Sequence, residues 1–528
     1  MESRPELEHR GGFDELVGKR GFVDIENSLE VHNLDSPGAR EAERKYIWKL
    51  DLIILPTISA LYFFEYIDRG NIANAKLYGL DNGHDTVKQG VGPGKNSLTS
   101  PQWQLSIMIF YIGLILFQVP GCIGYRVFPP SKWIAFGVCM WCVASSLQDV
   151  AFSQSGLLAC RFFIGTFEGL FGTGIVYYLS LWYHRYELGL RVFWFLGPTA
   201  VAGAFGGLIA YGVGHIKTST PNWKWLFLVE AVPGFVVGLF CLYWLPDRPT
   251  KNSRFKGAQQ EIAVARYYRE SFDKDGPIQW KHIRMTITDW RLYMQAAIYL
   301  TTAACLASIS GFLPTIVQDL GYKSATSANL MTVPPYAVAF VLMFMISYSS
   351  DRCRDRGLHI TGLMIVAAIA YVLLATLPQS QLHGKYACVV RQPLLLIIQL
   401  NTTSSNTPQC IAVACVYATY PPTHAWAANN LGNGTKRAIG LGMYTAIGNC
   451  GSVAGTYFYP STEAPQFRKG HYLCFAMSLS TAVMAFTNHV LLGRINRARD
   501  ERYGKGREGE SVDVSEMADE SLGFRFIT

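Results

Sequence analysis

Hydrophobic residues run along this chain in long stretches that short polar segments separate. Residues 192–214, 292–318, 324–350 and 470–493 contain no Asp, Glu, Lys or Arg, and two histidines are the only residues in the last stretch that can carry a positive charge. A helix needs roughly 20 mainly apolar residues to cross the hydrocarbon core of a bilayer. Stretches of this length therefore predict membrane-spanning helices.

Twelve spans can be placed along the chain, six on each side of a long charged segment. They are predicted at residues 50–67, 103–124, 132–152, 156–182, 192–214, 224–245, 292–318, 325–350, 358–378, a tenth before 425 whose start the pattern leaves undefined, 436–458 and 470–493. Two groups of six spans are typical of transporters with internal repeats. The fold class is thus predicted as an all-α polytopic membrane protein, with about 12 transmembrane helices in two six-helix halves.

The same pattern divides the chain into five segments. They are an N-terminal tail at 1–49, an N-terminal six-helix bundle at 50–245, a central loop at 246–291, a C-terminal six-helix bundle at 292–493 and a C-terminal tail at 494–528. The later part of the central loop, within PDRPTKNSRFKGAQQEIAVARYYRE, predicts an amphipathic helix that lies on the membrane face.

Charge supports this arrangement and orients it. Of the 528 residues, 50% are hydrophobic and 16% charged, whereas soluble domains carry about 25% charged residues. Of the 46 Lys and Arg residues, 34 fall on the side of the two tails and 11 on the other. The positive-inside rule therefore predicts that both tails are cytoplasmic. The net charge of +8 follows from this orientation, so the expected partner is the lipid bilayer rather than nucleic acid.

The polar residues show no pattern typical of an enzyme. Residues 1–49 contain no apolar stretch that could be a signal peptide. The CxxC at Cys139 and Cys142 lies within a predicted span, without further Cys or His at ligand spacing, which favours small buried hydrophobes. No metal site, phosphate loop or nucleophile motif is recognisable, so the sequence predicts neither a metal nor a cofactor.

Four ionisable residues lie where a bilayer should exclude them: Asp68, Arg69, Arg161 and Glu168. Charges at this depth are costly and often mark pathways for protons or ions. Arg161 and Glu168 are seven residues apart and so project from one helix face. We predict proton coupling at Glu168 and Asp68, because a buried carboxylate can take up and release a proton. Arg69 and Arg161 are predicted to bind the substrate, because a guanidinium can hold both carboxylate oxygens.

A purely structural role is the alternative for both pairs. Arg161 and Glu168 would then only join the fourth span to its neighbours, and Asp68 and Arg69 would cap a helix at the outer surface. Breaking a buried ion pair costs about 3–5 kcal/mol, which by itself would explain why such residues are present.

Three further polar residues are candidates for substrate binding. Glu65 lies one turn before Asp68 and either faces the same cavity or extends towards the membrane surface. Tyr111 and Gln118, again seven residues apart, either hydrogen-bond the substrate or satisfy contacts between helices.

Two short basic loops occupy the same place in the two halves. GYRVFPPSK (124–132) follows the second span, and SDRCRDRG (350–357) follows the eighth. Arg126 lies in the first loop, and Asp351, Arg352 and Arg356 in the second, which alone keeps an acidic residue. Both loops resemble the gating loop motif of the major facilitator superfamily.

Longer motifs resemble one branch of that superfamily, the fungal allantoate permease family of anion:cation symporters. They are YIDRGNIANAKLYGL (66–80), WQLSIMIFYIGLILFQVPG (103–121), RFFIGTFEGLFGTGIVYYLSLWY (161–183) and WAANNLGNGTKRA (426–438). The resemblance implies a plasma-membrane carrier that takes up a small organic anion, such as allantoate, nicotinate, pantothenate, biotin or a short peptide, together with protons. It also implies that the matching intramembrane charges take part in proton coupling and anion binding.

One stretch does not resemble the family. Residues 389–413, VVRQPLLLIIQLNTTSSNTPQCIAV, interrupt the tenth span, which would be continuous without them. We favour the hypothesis that they are translated intron sequence or a gene-model error. The alternative is a real insertion, in which PLLLIIQL forms part of the span.

The leading functional hypothesis is a proton-coupled symporter of a small carboxylate that works by alternating access. A non-transporting nutrient receptor with a transporter fold, and an organic-anion exporter, remain as alternatives. Since a vitamin, a ureide and a short peptide all carry a carboxylate, the sequence leaves the substrate open.

Overall fold

The computed structural model describes most of the chain. The described residues are 37–77, 80, 98–150, 153–216, 220–250, 254–269, 278–319, 325–376, 411–432, 434–459, 467–505, 514 and 516–528.

Helices account for almost all of these described residues. In chain order they are α1 Pro37–Leu77, α2 Ser100–Val127, α3 Pro130–Ser146, α4 Gln154–Trp182, α5 Leu188–Leu196, α6 Pro198–Gly214, α7 Asn222–Trp244, α8 Ala258–Arg269, α9 Trp280–Ile287, α10 Trp290–Asp319, α11 Ala325–Cys353, α12 Gly357–Thr376, α13 Ile411–Asn430, α14 Gly434–Gly455 and α15 Arg468–Tyr503. The amphipathic helix predicted in the central loop is α8.

The outer surface of this bundle is apolar. Leu116, Val236 and Val483 are each more than half exposed, although such side chains normally avoid water. Within the described residues, nine candidate spans have the length and composition needed to cross a membrane. The predicted fold class, an all-α polytopic membrane protein, is confirmed.

Some helix ends differ from the predicted spans. Helix α1 begins at Pro37 rather than near residue 50, because Tyr46 and Leu50 on one face are buried against the bundle. The fifth predicted span consists of two helices, α5 and α6, which meet at Gly197. Pro198 has no backbone N–H and is therefore accommodated best in the first turn of a new helix.

Residues 389–410 of the anomalous stretch, like the first 36 residues of the chain, lie outside the described residues. The last three residues of the stretch, 411–413, form the first turn of α13.

Glycines allow the helices that hold the ionisable groups to pack closely. Gly165 of α4 lies against the backbone of Phe110 in α2, and Gly121 of α2 lies against α4 in the same way. In the second half, Gly451 of α14 contacts the backbone of Leu300 in α10. Contacts of this kind are common where membrane helices pack tightly.

The two halves meet along helices from each. Gly442 of α14 lies against Gln118 and Val119 of α2, so these helices touch with no side chain between them. On the other side of the bundle, Phe193 of α5 packs against Phe340 and Phe344 of α11. A cavity lies between these two contacts.

Candidate functional site: a charged cavity between the two halves

The cavity measures about 30 Å³ and has walls from both halves. The N-terminal half contributes Tyr62, Glu65, Arg69, Leu114, Gln118, Glu168, Gly172, Thr173, Val176, Phe195 and Leu196. The C-terminal half contributes Tyr299, Tyr420, His424, Thr445 and Asn449. Four of the seven residues predicted to couple protons or bind substrate therefore line one cavity, namely Glu65, Arg69, Gln118 and Glu168.

Arg69 is the centre of the charged wall. Its Nη2 atom lies 2.6 Å from Oε1 of Glu65, one turn earlier in α1, and 2.7 Å from Oε2 of Glu168 in α4. Both carboxylates are buried, whereas the Arg69 side chain is 21% exposed. One cation is therefore shared by two acids, and the open part of its guanidinium faces the cavity.

Arg161 lies beside this group but outside the cavity wall. Its guanidinium carbon is 5.1 Å from the centre of the Phe110 ring, and that of Arg69 is 5.4 Å from the same centre. Cations within about 6 Å of an aromatic face are attracted by it. Among the described residues no carboxylate forms an ion pair with Arg161, so Glu168 pairs with Arg69 rather than with the arginine on its own helix.

Asp68 points away from its neighbour Arg69. It is buried and accepts a hydrogen bond from the Ser145 hydroxyl of α3, at 2.5 Å. Two adjacent residues of α1 thus face different sides of the helix, one towards the cavity and one towards α3.

Glu230 of α7 is a further buried acid that the sequence reasoning missed. It accepts a hydrogen bond from the Asn71 side chain of α1, and its second carboxylate oxygen has no hydrogen-bond partner within the described part of the chain. The same signal that drew attention to Glu168, an acid inside an apolar span, was present here in the span at 224–245.

Gln118 connects the halves, whereas Tyr111 does not line the cavity. The side-chain oxygen of Gln118 accepts hydrogen bonds from the hydroxyls of Thr173 in α4 and Thr445 in α14, the latter at 3.3 Å. Tyr111 packs edge-on against Phe110, with ring centres 5.1 Å apart.

The opposite wall is aromatic. His424 of α13 lies edge-on to the rings of Tyr299 and Tyr420, at 4.6 Å from each, and its Nδ1 atom is 3.0 Å from the backbone oxygen of Tyr420. Tyr420 also forms a hydroxyl–hydroxyl contact of 3.2 Å with Tyr62 across the cavity. Sequence reasoning did not single out this wall, although a histidine within an apolar helix was a usable signal.

One face of the bundle carries the first turns of α1 and the end of α15, and we call it the basic face. The predicted loop motif lies on this face. Asp351 accepts hydrogen bonds from the backbone N–H groups of Gly189, at 3.2 Å, and Leu190, at 2.7 Å, in the first turn of α5. Arg356 is fully buried and lies 2.6 Å from the same carboxylate. A carboxylate at a helix N-terminus is stabilised by the unpaired N–H groups and the helix dipole.

The two other loop residues differ in burial. Arg126, in the last turn of α2, is buried, whereas Arg352 is exposed and donates to the hydroxyl of Tyr348, at 3.3 Å. In place of an acid, the first loop has Tyr125, which is buried and donates to the backbone oxygen of Phe171, at 2.8 Å.

Known proteins resemble this chain over most of its length. It is 32% identical to the MFS transporter prlL of a fungal species (strain NRRL 50135), over 93% of this chain and 96% of that protein. It is 30% identical to the major facilitator-type transporter hxnP of Emericella nidulans, over 94% and 97% of the two chains. The high-affinity nicotinic acid transporter of Saccharomyces cerevisiae is 24% identical, over 96% of this chain and 90% of that one.

The fold is also shared with a solved structure, the proton:xylose symporter XylE bound to 6-bromo-6-deoxy-D-glucose. The TM-score is 0.58 at 14% identity, and the likeness covers 87% of this chain and 97% of the other. The family model described as Major Facilitator Superfamily matches residues 58–456. With this match and relatives of similar length, the chain belongs to the Major Facilitator Superfamily and is a membrane transport protein rather than an enzyme.

Proposed function

We propose that this protein is a proton-coupled symporter of a small organic anion and a member of the allantoate permease branch of its superfamily. Its substrate is a vitamin or ureide carboxylate, such as nicotinate, pantothenate or allantoate. The family-like motifs support this assignment, as does the relative named as a nicotinic acid transporter.

The observation that carries the proposal is the position of Arg69 between Glu65 and Glu168. Two carboxylates and one guanidinium leave this group with one net negative charge, which repels an incoming anion. Uptake of one proton by Glu168 removes that charge and one ion-pair partner of Arg69. The guanidinium is then free to bind the substrate carboxylate, which restores the original charge.

This charge balance couples the two solutes. In a medium of low dielectric constant an extra uncompensated charge is expensive, so a proton and an anion enter the cavity more readily together than singly. Asp68 serves as a second proton site, Arg161 adds positive charge behind Arg69, and Gln118 offers hydrogen bonds to the anion.

Transport requires the cavity to widen. A volume of about 30 Å³ is enough for roughly two water molecules but not for a vitamin. The halves therefore separate on one face and then on the other, as in other internally repeated carriers. Asp351 and Arg356 stabilise contact between the halves on the basic face, which is cytoplasmic in the plasma membrane; the distribution of Lys and Arg supports this orientation.

Labelled uptake tests the proposal. Yeast cells that express the chain are given labelled nicotinate, pantothenate or allantoate at external pH 5 and pH 7. We expect accumulation of one of them, faster at pH 5 because protons then drive entry. Glu168→Gln should remove this pH dependence, since the amide cannot carry the proton.

A matched control is Glu261→Gln on α8, where the side chain is exposed to solvent. It should leave both the uptake and its pH dependence unchanged. Uptake by the Glu168→Gln chain that keeps its full pH dependence would remove the coupling role from Glu168. Binding of the anion without accumulation in vesicles would favour a receptor instead.

A further inference from the structure

The segment 516–528 is docked on the basic face although it forms no long helix. Apart from a short 3-10 turn at Ala518–Glu520, it is irregular, yet Phe524, Phe526 and Ile527 are each 4% exposed. Apolar side chains of an irregular segment are buried to this extent only where a surface is shaped to receive them.

Side chains of the C-terminal half bind the backbone of this segment. Asn430, at the end of α13, donates to the oxygen of Ile527, at 2.9 Å, and accepts from its N–H, at 2.8 Å. Asn496 of α15 makes the same pair of bonds with Phe526, at 2.8 and 2.9 Å. Trp426 donates a second hydrogen bond to the oxygen of Ile527, at 2.8 Å. Backbone groups that would otherwise be buried unpaired are thereby satisfied.

Charged groups hold the other end of the segment. Asp519 is buried 2.6 Å from Lys436 of α14 and 2.9 Å from Arg291 of α10. Lys436 also lies 2.6 Å from Asp289. Burial by itself would raise the pKa of Asp289, but hydrogen bonds from Arg291 and the nearby Lys436 charge hold that pKa below its usual range.

Arg185 connects the segment to the other half of the protein. It lies in the turn between α4 and α5 and donates to the backbone oxygen of Arg525, at 3.0 Å. Its guanidinium also lies 4.4 Å from the centre of the Phe524 ring. The same side chain donates to the backbone oxygen of Asn429 in α13, at 2.9 Å. Separation of the halves on this face must break these contacts.

We propose that residues 516–528 are an intramolecular latch, which docks on the C-terminal half and holds Arg185 of the N-terminal half, so that the basic face opens only after the segment is released. Membership of a family of transporters is enough for this inference, which depends neither on the identity of the substrate nor on proton coupling. The segment and its docking surface form one regulatory site, open to competition by any partner that binds either of them.

Cysteine accessibility tests the latch directly. Ser180, near the basic-face end of α4, is buried and accepts a hydrogen bond from Arg437 of α14 at 3.3 Å. A Ser180→Cys chain is labelled with a membrane-impermeant maleimide in membranes whose basic face is accessible, and labelling of the parent chain is subtracted. Deletion of 516–528 should speed the labelling of this cysteine by roughly fivefold or more, the lower end of typical allosteric coupling. A synthetic peptide with the sequence of 516–528 should slow it again.

A point substitution gives a second test. A Cβ atom at Gly432 would meet the backbone of Ala518 and Asp519 closer than real Cβ atoms come, so Gly432→Ala should displace the segment. Gly362→Ala in α12, where nothing lies within 4 Å of the new atom, is the matched control. Amide hydrogen exchange of 516–528 shows whether the segment has detached.

We expect Gly432→Ala to detach the segment and to speed the labelling of the Ser180→Cys chain. The Gly362→Ala control should change neither. The latch would be overturned if the cysteine is labelled at the parent rate in a chain whose segment is deleted, or whose segment amides exchange fully. That chain must be present in the membrane at the parent level. This outcome would leave the proposed transport function untouched.

Discussion

The two halves of the protein contribute different chemistry to the cavity that they share. The N-terminal half buries charged side chains between its helices, among them Glu65, Asp68, Arg161, Glu168 and Glu230. In the described part of the C-terminal half, the helices carry Asp, Glu, Lys and Arg only near their ends. Their contribution to the cavity is instead a wall of hydroxyl, amide, imidazole and aromatic groups.

This difference suggests a division of labour. Under the proposed function, the N-terminal half would provide the charges that take up protons, and the neutral groups of the C-terminal half would recognise the shape and hydrogen-bonding pattern of the substrate. The hydroxyl pairs Tyr62–Tyr420 and Tyr66–Tyr417, at 3.2 and 3.1 Å, connect the two halves. We therefore expect substitutions in the first half to change coupling and those in the second to change selectivity.

The largest effect is expected at Arg69. Arg69→Gln leaves Glu65 and Glu168 buried without their cation, and breaking a buried pair in this way costs about 3–5 kcal/mol. We expect loss of uptake and a clear fall in melting temperature of the purified protein, measured by size-exclusion fluorescence.

A double substitution sharpens this prediction. Arg69→Gln with Glu168→Gln removes one of the two unpaired acids and should recover part of the lost stability but not the uptake. Arg352→Ala, at an exposed arginine, is the control and should leave the melting temperature unchanged. Equal stability of the single and double variants would show that Arg69 does not neutralise Glu168.

The next effect compares matching helix contacts in the two halves. Gly165→Ala forces α4 away from α2 and displaces Glu168, whereas Gly451→Ala forces α14 away from α10. Overpacking of this kind costs about 1–3 kcal/mol in either half. Only the first should also weaken the pH dependence of uptake, measured as the ratio of initial rates at pH 5 and pH 7.

Gly206→Ala serves as the control for both, since nothing lies within 4 Å of the added atom. If Gly451→Ala reduces the pH dependence as much as Gly165→Ala, then coupling is not confined to the N-terminal half.

A smaller and more selective effect is expected at His424. His424→Phe keeps an aromatic ring between Tyr299 and Tyr420 but removes the bond to the Tyr420 backbone. We expect a change of about tenfold, or roughly 1.4 kcal/mol, in the inhibition of uptake by competing anions. The ratio of rates at the two pH values should stay as in the parent chain. A loss of that ratio would place a coupling group in the C-terminal half.

The smallest effect is expected at His282 of α9, whose Nε2 atom lies 3.2 Å from the backbone oxygen of Glu516. Burial lowers the pKa of His282, and the charges of Lys281, Arg126 and Lys436 lower it further, against the hydrogen bond to Glu516. A lowered pKa means that the folded protein holds this proton less tightly than the unfolded chain. Its stabilising contribution is therefore complete above the unfolded pKa of about 6.5 and is lost as the pH falls through the lowered value.

We therefore expect the melting temperature to decrease between pH 7.5 and pH 5 by slightly less in His282→Gln than in the parent chain. Gln260→Ala on α8, which removes a hydrogen bond to the Pro249 backbone but no titrating group, is the control and should respond to pH as the parent chain does. An identical pH response of the parent and His282→Gln chains would exclude His282 as the titrating group.

Several features could be predicted from the sequence because they depend on local composition. Apolar stretches of spanning length predict helices wherever they occur, and the fold class followed from them. The cost of placing Glu168 or Arg69 in lipid was likewise enough to predict that they face the protein interior. Family-like motifs indicated the superfamily before any geometry was known.

The choice of ion-pair partners, in contrast, was decided by the tertiary structure. The spacing of Arg161 and Glu168 put both on one face of α4, yet the cation that reaches Glu168 is Arg69 of α1. Helix periodicity fixes which residues share a face, but not which neighbouring helix that face meets.

Two further features could not be predicted in full, although a histidine within an apolar helix was a partial signal for the first of them. The aromatic wall around His424 forms only where α10, α13 and α14 converge, and the burial of segment 516–528 depends on groups spread from Arg185 to Arg499. The sequence by itself determined that helices span a membrane and that charges lie inside, because length and transfer cost are properties of each segment. Only the tertiary structure decided which charges meet and which groups join the two halves on the basic face, because those contacts join residues far apart in the chain.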